Sequence, residues 1–349
     1  MTASRKDDHV RLAVSQHTQT PPSPADTAPH SVTPSAFDDV RFVHHALAGI
    51  DRERVDLRTR IAGQTWQAPL YINAMTGGSP RTGQINRDLA IAARETGLAI
   101  ATGSMSAFLK DPSTAGTYTP VRCHHPQGFV MANLNANATP TQACRAIDLI
   151  QANALQIHLN TVQEIVMPEG DRSFGHWPAA IEAIVETVDV PVIVKEVGFG
   201  LSGRTIALLA ELGVAVADVA GRGGTDFARI ENGRREQADY AYLDGWGLST
   251  PAALLDGRNQ GLPLLASGGV RHPLDVARAI ALGAQAVGVS GLFLTTLITR
   301  GLDALIAQIT AWLDQLTALM TILGASNLTE LAACDLEISG SLRTFLDHP

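Results

Sequence analysis

The chain has 349 residues, 45% of them hydrophobic and 17% charged, with 31 glycines, 18 prolines and a net charge of −8. That composition supports a large core and excludes wholesale disorder, and its acidic balance argues against a nucleic-acid binder, which presents a basic face. Cys123, Cys144 and Cys334 are widely spaced without a CxxC pair, which fits a reducing cytoplasm and neither a disulfide framework nor a zinc site.

The start, MTASRKDDHVRLAV, shows no apolar run of the secretory kind. Residues 18–35 are proline-rich and low in complexity, and read as an extended or disordered loop. From Phe37 the chain becomes globular, so residues 1–36 are expected to form a flexible N-terminal arm and 37–349 a single domain. Eight short apolar runs read as buried strands: 68–74, 98–103, 129–134, 154–159, 191–197, 215–221, 263–268 and 285–291. Segments with a 3.6-residue apolar period lie between most of them, for example 84–97, 140–153 and 273–283. Strands alternating with helices pair in parallel, and eight such units point to an α/β fold, a (β/α)8 TIM barrel, with a doubly wound open sheet as the alternative. The uncharged stretch 279–299 is long enough to span a bilayer. Its glycines break it into a helix end, a strand and a new helix, so it reads as buried core.

Barrel chemistry collects in the loops after the strands, and here these are MTGG, SMS, NAN, HLNTVQE, KEVGFG, GRGGTDF, SGGVR and SGL. Ser267-Gly268-Gly269 and Ser290-Gly291 offer bare N–H groups before helix starts, which suits a phosphate; the plainer reading is tight turns. Lys195 ends a β-branched run, so a buried ammonium reaches the barrel mouth and needs an anionic or electron-rich partner. With the phosphate site and the amides of Asn133 and Asn135, that partner fits a flavin; pairing with Glu196 or Asp218 is the structural alternative. GFGLSG at 198–203 has the G-x-G-x-x-G form, with Asp218 twenty residues after Gly198. It sits in the fifth of eight units, where a flexible loop over the mouth is the better reading. Glu164 suits a hard cation completed by substrate phosphates, and Asn160 and Gln163 can hydrogen-bond a ligand without ionising. His158 reads as a positioned core histidine or a base. His44-His45 and His124-His125 read as surface or loop residues. Arg5, Lys6 and His9 fall within about one helical turn, a cluster suited to a diphosphate or to a solvated charge run.

RKDDH, YINAMTGG, ATGS, HLNTVQE, MPEG, VKEVGFG, GRGGT and SGGVR run in order from Ser4 to the final helices, and in this they resemble the type 2, FMN-dependent isopentenyl diphosphate isomerases. The resemblance implies a barrel, FMN and Mg2+, with NADPH as reductant, and interconversion of isopentenyl and dimethylallyl diphosphates in isoprenoid biosynthesis. It implies FMN contacts at Ala74, Met75, Thr76, Ser104, Asn133, Lys195, Thr225, Gly268, Gly269, Ser290 and Gly291. It implies substrate contacts at Arg5, Lys6, His9, His158, Asn160 and Gln163, a metal at Glu164, and chemistry centred on Gln163, His158 and Lys195. It also suggests a cytoplasmic homotetramer or homo-octamer. The proline-rich stretch is longer than the family usually carries, which bears on how the arm is positioned.

Isomerisation protonates an unactivated alkene, a task for which a histidine or glutamate near pH 7 is a poor acid. An electron-rich reduced flavin would supply what the side chains lack. The competing activity on such a barrel is FMN-dependent α-hydroxy-acid oxidation, which needs a histidine base beside a carboxylate-gripping arginine. The sixth-strand loop offers Arg222 without a histidine. A non-catalytic phosphate binder would have no use for Glu164, Gln163 and Lys195 together.

Overall fold

Eight parallel strands close into a barrel: β1 (Leu70–Ile72), β2 (Ala99–Ala101), β3 (Val130–Asn135), β4 (Ala154–His158), β5 (Val192–Lys195), β6 (Val216–Asp218), β7 (Leu264–Ser267) and β8 (Ala284–Val289). Closure runs through β8 and β1, with Val287, Gly288 and Val289 opposite Leu70, Tyr71 and Ile72. The closed barrel was therefore the right choice over the open sheet. The computed structural model describes residues 3–18 and 35–347, without the side chains of 3–6 and 8; the proline-rich stretch lies, but for its end residues, outside the described residues.

The principal helices are α1 (Ala3–Thr18), α2 (Pro80–Thr96), α3 (Pro140–Ile150), α4 (Trp177–Thr187), α5 (Gly203–Glu211), α6 (Thr250–Gly257), α7 (Pro273–Ala281), α8 (Gly291–Arg300) and α9 (Leu302–Leu323). Local chemistry sets their ends. The Ser79 side chain accepts from the Thr82 N–H with Pro80 in the first turn, so α2 begins four residues earlier than its apolar period suggests. Gln151 takes a left-handed conformation, φ 46°, and stops α3 before residue 153. The strands are likewise shorter than the apolar runs around them, except β3, which extends to Asn135.

Residues 279–299 do divide into the end of α7, all of β8 and most of α8. Among the described residues the one helix long and apolar enough to cross a membrane is α9. Its buried residues Leu305, Ile309, Trp312, Leu316 and Met320 recur at helical spacing, so it packs one face on the barrel. His125 departs from expectation: it is buried, with Nε2 3.0 Å from the Leu98 carbonyl. Burial pushes its pKa down.

Strand periodicity sorts the barrel interior into two levels. Tyr71, Ala99, Ala101, Met131, Ala154, Ile193, Val216, Leu265 and Ala286 form one apolar cluster with Ile61 and Trp66. Those two come from an antiparallel hairpin, Thr59–Ile61 with Gln64–Trp66, which closes the lower end. Trp66 packs edge-on against Tyr71 with ring centroids 5.6 Å apart. Two residues further along most strands the interior positions turn polar or bare: Asn73, Gly103, Asn133, Gln156, Lys195, Asp218, Ser267 and Gly288. Asp218 is fully buried and accepts from the Tyr71 hydroxyl at 2.8 Å, tying the levels together. Burial and then the Asp218 charge keep the Tyr71 hydroxyl protonated.

Tyr71→Phe removes one donor from a buried carboxylate while keeping the ring's packing. It should lower unfolding stability by about 1–3 kcal/mol, measured by chemical denaturation, with strand content unchanged by circular dichroism.

Candidate active site

The C-terminal ends of the strands open into a cavity of about 970 Å³, the usual place for barrel chemistry. A polar relay crosses its inner end. Asp218 accepts from Tyr71, from Asn73 Nδ2 at 2.9 Å, from Ser267 Oγ at 2.8 Å and from the Ala220 N–H at 3.2 Å. Asn73 Oδ1 accepts from Gln156 Nε2 at 3.3 Å, Gln156 Oε1 accepts from Asn133 Nδ2 at 3.1 Å, and Asn133 Oδ1 meets His158 Nδ1 at 2.9 Å. An ionised carboxylate only accepts, so it fixes which way each successive amide points. The chain ends by making His158 the donor at Nδ1, so a neutral ring carries its lone pair at Nε2.

The short helix Thr161–Val166 carries Gln163 and Glu164, both buried. Gln163 Nε2 donates to Glu231 Oε1 at 3.0 Å, and His9 Nε2 from α1 stands 3.1 Å from the same oxygen. Arg234 holds the other oxygen of Glu231 and also reaches Glu169 at 2.8 Å. Burial alone would raise the Glu231 carboxyl, but hydrogen bonds from His9 and Gln163, the His9 charge and Arg234 bring it down to about 2. Glu231, which joins Gln163 to His9, is a residue that the sequence reading missed. Within FARIENGRRE it resembles any charged surface helix, and only the short helix Phe227–Asn232 turns it inward.

Lys195 is buried and its Nζ donates to the Glu196 carbonyl at 2.5 Å. Burial pulls the ammonium down, opposed by the charges of Asp218 and Glu196. The Glu196 carboxylate accepts from the N–H groups of Val197 at 2.6 Å, Gly198 at 2.7 Å and Phe199 at 2.5 Å, while burial pushes it up to about 7. The glycine loop is therefore tied down, not free over the mouth. A Cβ on Gly200 (φ +82°) would fall 2.9 Å from the Leu248 carbonyl, and Leu248 N–H donates to Phe199 at 2.9 Å. Asp218 lies inside the barrel, away from any ribose role, which removes the dinucleotide reading.

The loops after β6 and β7 meet glycine on glycine. A Cβ on Gly268 (φ +92°) would lie 1.9 Å from the Gly221 carbonyl, and one on Gly224 would lie 2.9 Å from the Gly269 nitrogen. Ser290, before α8, makes no side-chain cap, so the first N–H groups of that helix keep their donor capacity. This donor set fits a phosphate group. Asn160 lines the cavity with a buried Oδ1 that has no hydrogen-bond partner among the described residues, which suits a ligand donor. Together with Lys195 the residues fit a phosphate-bearing flavin.

Glu164 accepts from Asn160 Nδ2 at 2.9 Å and from the Asp171 N–H at 2.9 Å. No group of three metal-binding side chains exists among the described residues, so a cation at Glu164 would take its remaining oxygens from ligand and water. His9, Ala74, Met75, Ser104, Asn133, His158, Asn160, Gln163, Glu164, Lys195, Thr225, Gly268, Gly269, Ser290 and Gly291 all line the one cavity. Thr76 does not. It is buried with Oγ1 unpartnered among the described residues, and its carbonyl accepts from the Gly103 N–H at 2.9 Å. Arg5 and Lys6 belong to α1, but their side chains lie outside the described residues.

The profile of the FMN-dependent dehydrogenase family matches residues 119–337. The isopentenyl-diphosphate delta-isomerase of Kitasatospora griseola is 64% identical over 344 residues, 99% of this chain and 92% of the relative. Its counterpart in Latilactobacillus sakei is 46% identical over 346 residues, covering 99% and 95%. Among solved structures, a putative lactate oxidase of Pediococcus acidilactici superposes with a TM-score of 0.69 at 15% identity, covering 97% of this chain and 93% of that one. A flavocytochrome b2 mutant gives 0.66 at 19% identity, covering 90% and 79%. These two likenesses speak for the fold alone.

Glu231 generates a prediction about acid stability. Its carboxyl is lowered on folding, so its contribution is fully present above the unfolded value near 4.5 and is lost as pH falls towards about 2. Glu231→Gln should therefore be less stable than the parent at pH 6, by up to roughly 3 kcal/mol. The gap should narrow at pH 3, as read by denaturation at the two pH values.

Proposed function

The chain belongs to the type 2, FMN-dependent isopentenyl-diphosphate delta-isomerases, and from that premise we propose how its own residues serve the interconversion of isopentenyl and dimethylallyl diphosphates. The reaction adds a proton at one end of an alkene and removes one two carbons away, through a cation-like tertiary centre. Reduced flavin, when bound, supplies an electron-rich face and an exchangeable proton to that chemistry.

The protein's part is to bind, orient and exclude water. Glu164 would hold Mg2+, which would supply positive charge to the diphosphate, and Arg5, Lys6 and His9 of α1 would help neutralise it. Asn160 and Gln163 orient the substrate by hydrogen bonds, and Glu231 keeps the Gln163 amide in place. Gln163 also serves as a relay for one proton. His158, held at Nδ1 by Asn133, presents a fixed face towards the substrate. Lys195 would hold the flavin and supply a positive charge to it. NADPH is the reductant, and the active form is a cytoplasmic homotetramer or homo-octamer.

The observation that supports this reading best is that Asn160, Gln163, Glu164 and Lys195 share one cavity with the glycine-built phosphate cradle. Hydroxy-acid oxidation on the same fold would need an arginine available beside a histidine base. Among the described residues three arginines line this mouth: Arg229 is bonded to Asp244, Arg271 is held by Asp38 and Asp275, and Arg222 belongs to the sixth-strand loop, which carries no histidine.

Two experiments test the proposal. Glu164→Gln should retain FMN, seen in the visible spectrum, while magnesium-dependent turnover falls roughly 10–100-fold; an unchanged magnesium response removes the metal assignment. Oxidised holoenzyme should be inert towards isopentenyl diphosphate without bleaching. Anaerobic reduction should switch on many turnovers per reducing equivalent, with deuterium entering the dimethylallyl product in D2O. Bleaching by a 2-hydroxy acid, with no deuterium in the diphosphate, would establish the oxidase instead.

A further inference from the structure

One face of α1 meets the site at two separate places. His9 stands at Glu231. Gln16 and His17 follow seven and eight residues later, about 10–12 Å along the helix axis. The Gln16 amide is clamped on both sides by the main chain of Asp226, donating to its carbonyl at 3.1 Å and accepting from its N–H at 3.0 Å. That clamp delivers the neighbouring His17 ring to the phosphate cradle. His17 Nε2 lies 3.3 Å from Thr225 Oγ1. A Cβ built on Gly291 would fall 2.1 Å from the same nitrogen and 2.9 Å from the Thr225 hydroxyl.

This placement has a physical oddity. The ring abuts the first residue of α8, the positive end of the helix dipole, where Ser290 leaves the helix uncapped. A ring able to donate and to carry charge gains nothing from a second positive group alone. It gains a partner when an anion occupies the cradle within reach of both. Burial, which lowers the ring's pKa, works in the same sense: an anion would offset it.

We propose that His17 is a ligand of the flavin's 5′-phosphate, so that the cofactor fastens one end of α1 while the His9 end faces the substrate. The α1 helix then belongs to both binding sites, and loading of the cofactor steadies α1 before substrate arrives. The inference rests on FMN binding at the cradle of Gly268, Gly269, Ser290 and Gly291, and the test separates the two.

Apoenzyme is titrated with FMN and with riboflavin, which lacks the phosphate, following flavin fluorescence. The parent should prefer FMN strongly. His17→Ala should weaken FMN binding about tenfold and leave riboflavin binding unchanged, with His17→Gln, which can still donate, in between. Amide exchange across residues 9–18 should slow on adding FMN but not riboflavin, and the slowing should vanish in His17→Ala. Equal weakening of both ligands would reduce His17 to an anchor of the helix and overturn the proposal, as would an unchanged preference for FMN in both variants. A parent that fails to distinguish FMN from riboflavin would instead bring down the phosphate cradle itself, and this assignment with it.

Discussion

Everything above the lower plug of the barrel depends on one buried carboxylate. Asp218 gathers donors from β1, from the residue after β1, from β7 and from its own chain two residues on. Its burial would be prohibitive if these donors were missing. With them it becomes the origin of polarity for the site, because a group that only accepts dictates the orientation of each amide linked to it. Asn73, Gln156 and Asn133 transmit that orientation across half the barrel to His158. The tautomer of a histidine on β4 is thus set from a carboxylate on β6, two strands away.

Such a relay is possible only because the strands hold their register. Alternation puts Tyr71 with Asn73, Met131 with Asn133, Ile193 with Lys195, Val216 with Asp218 and Leu265 with Ser267 on one interior face. The lower member of each pair packs into the plug, and the upper one lines the cavity except for Asp218, which is fully buried. A slip of one residue would send every upper group outward among the helices. The glycine contacts above that level serve the same end. With no Cβ at Gly224 or Gly268, the loops after β6 and β7 approach backbone to backbone, so the N–H groups of the proposed phosphate cradle are positioned by the main chain and not by mobile side chains.

The barrel was legible in the sequence because eight apolar runs alternate with helical periods, and local signals of that kind survive without tertiary context. That most of the expected site residues share one cavity was legible too, since they lie directly after strands and the topology brings every such loop to one end. Three kinds of feature were not. Asp218 and Gln156 stand inside apolar runs, where a single polar residue shows its role only once its neighbours across the barrel are known. Glu231 lies well past its strand on a short helix whose inward turn no periodicity announces. The stretch 198–203 read as a mobile loop from its glycines, yet three N–H bonds to Glu196 and the close approach of Leu248 hold it. Glycine marks both mobility and tight approach, and composition alone does not separate them.

The upper level of the barrel carries a cost in stability that the lower one does not. Apolar residues of similar volume at Asp218 and Lys195 would often pack as well or better, since buried charges rarely repay their desolvation. Retaining them there, above an apolar plug and below a glycine cradle, is what a site requires and a scaffold does not. Lys195 shows the balance most clearly. Burial draws its ammonium towards neutrality while Asp218 and Glu196 resist, so the position is not settled by protein groups alone. An electron-rich ligand with anionic character placed beside it would tip that balance towards the charged form. The incomplete compensation of a buried lysine thereby becomes binding and electrostatic stabilisation for whatever completes the site.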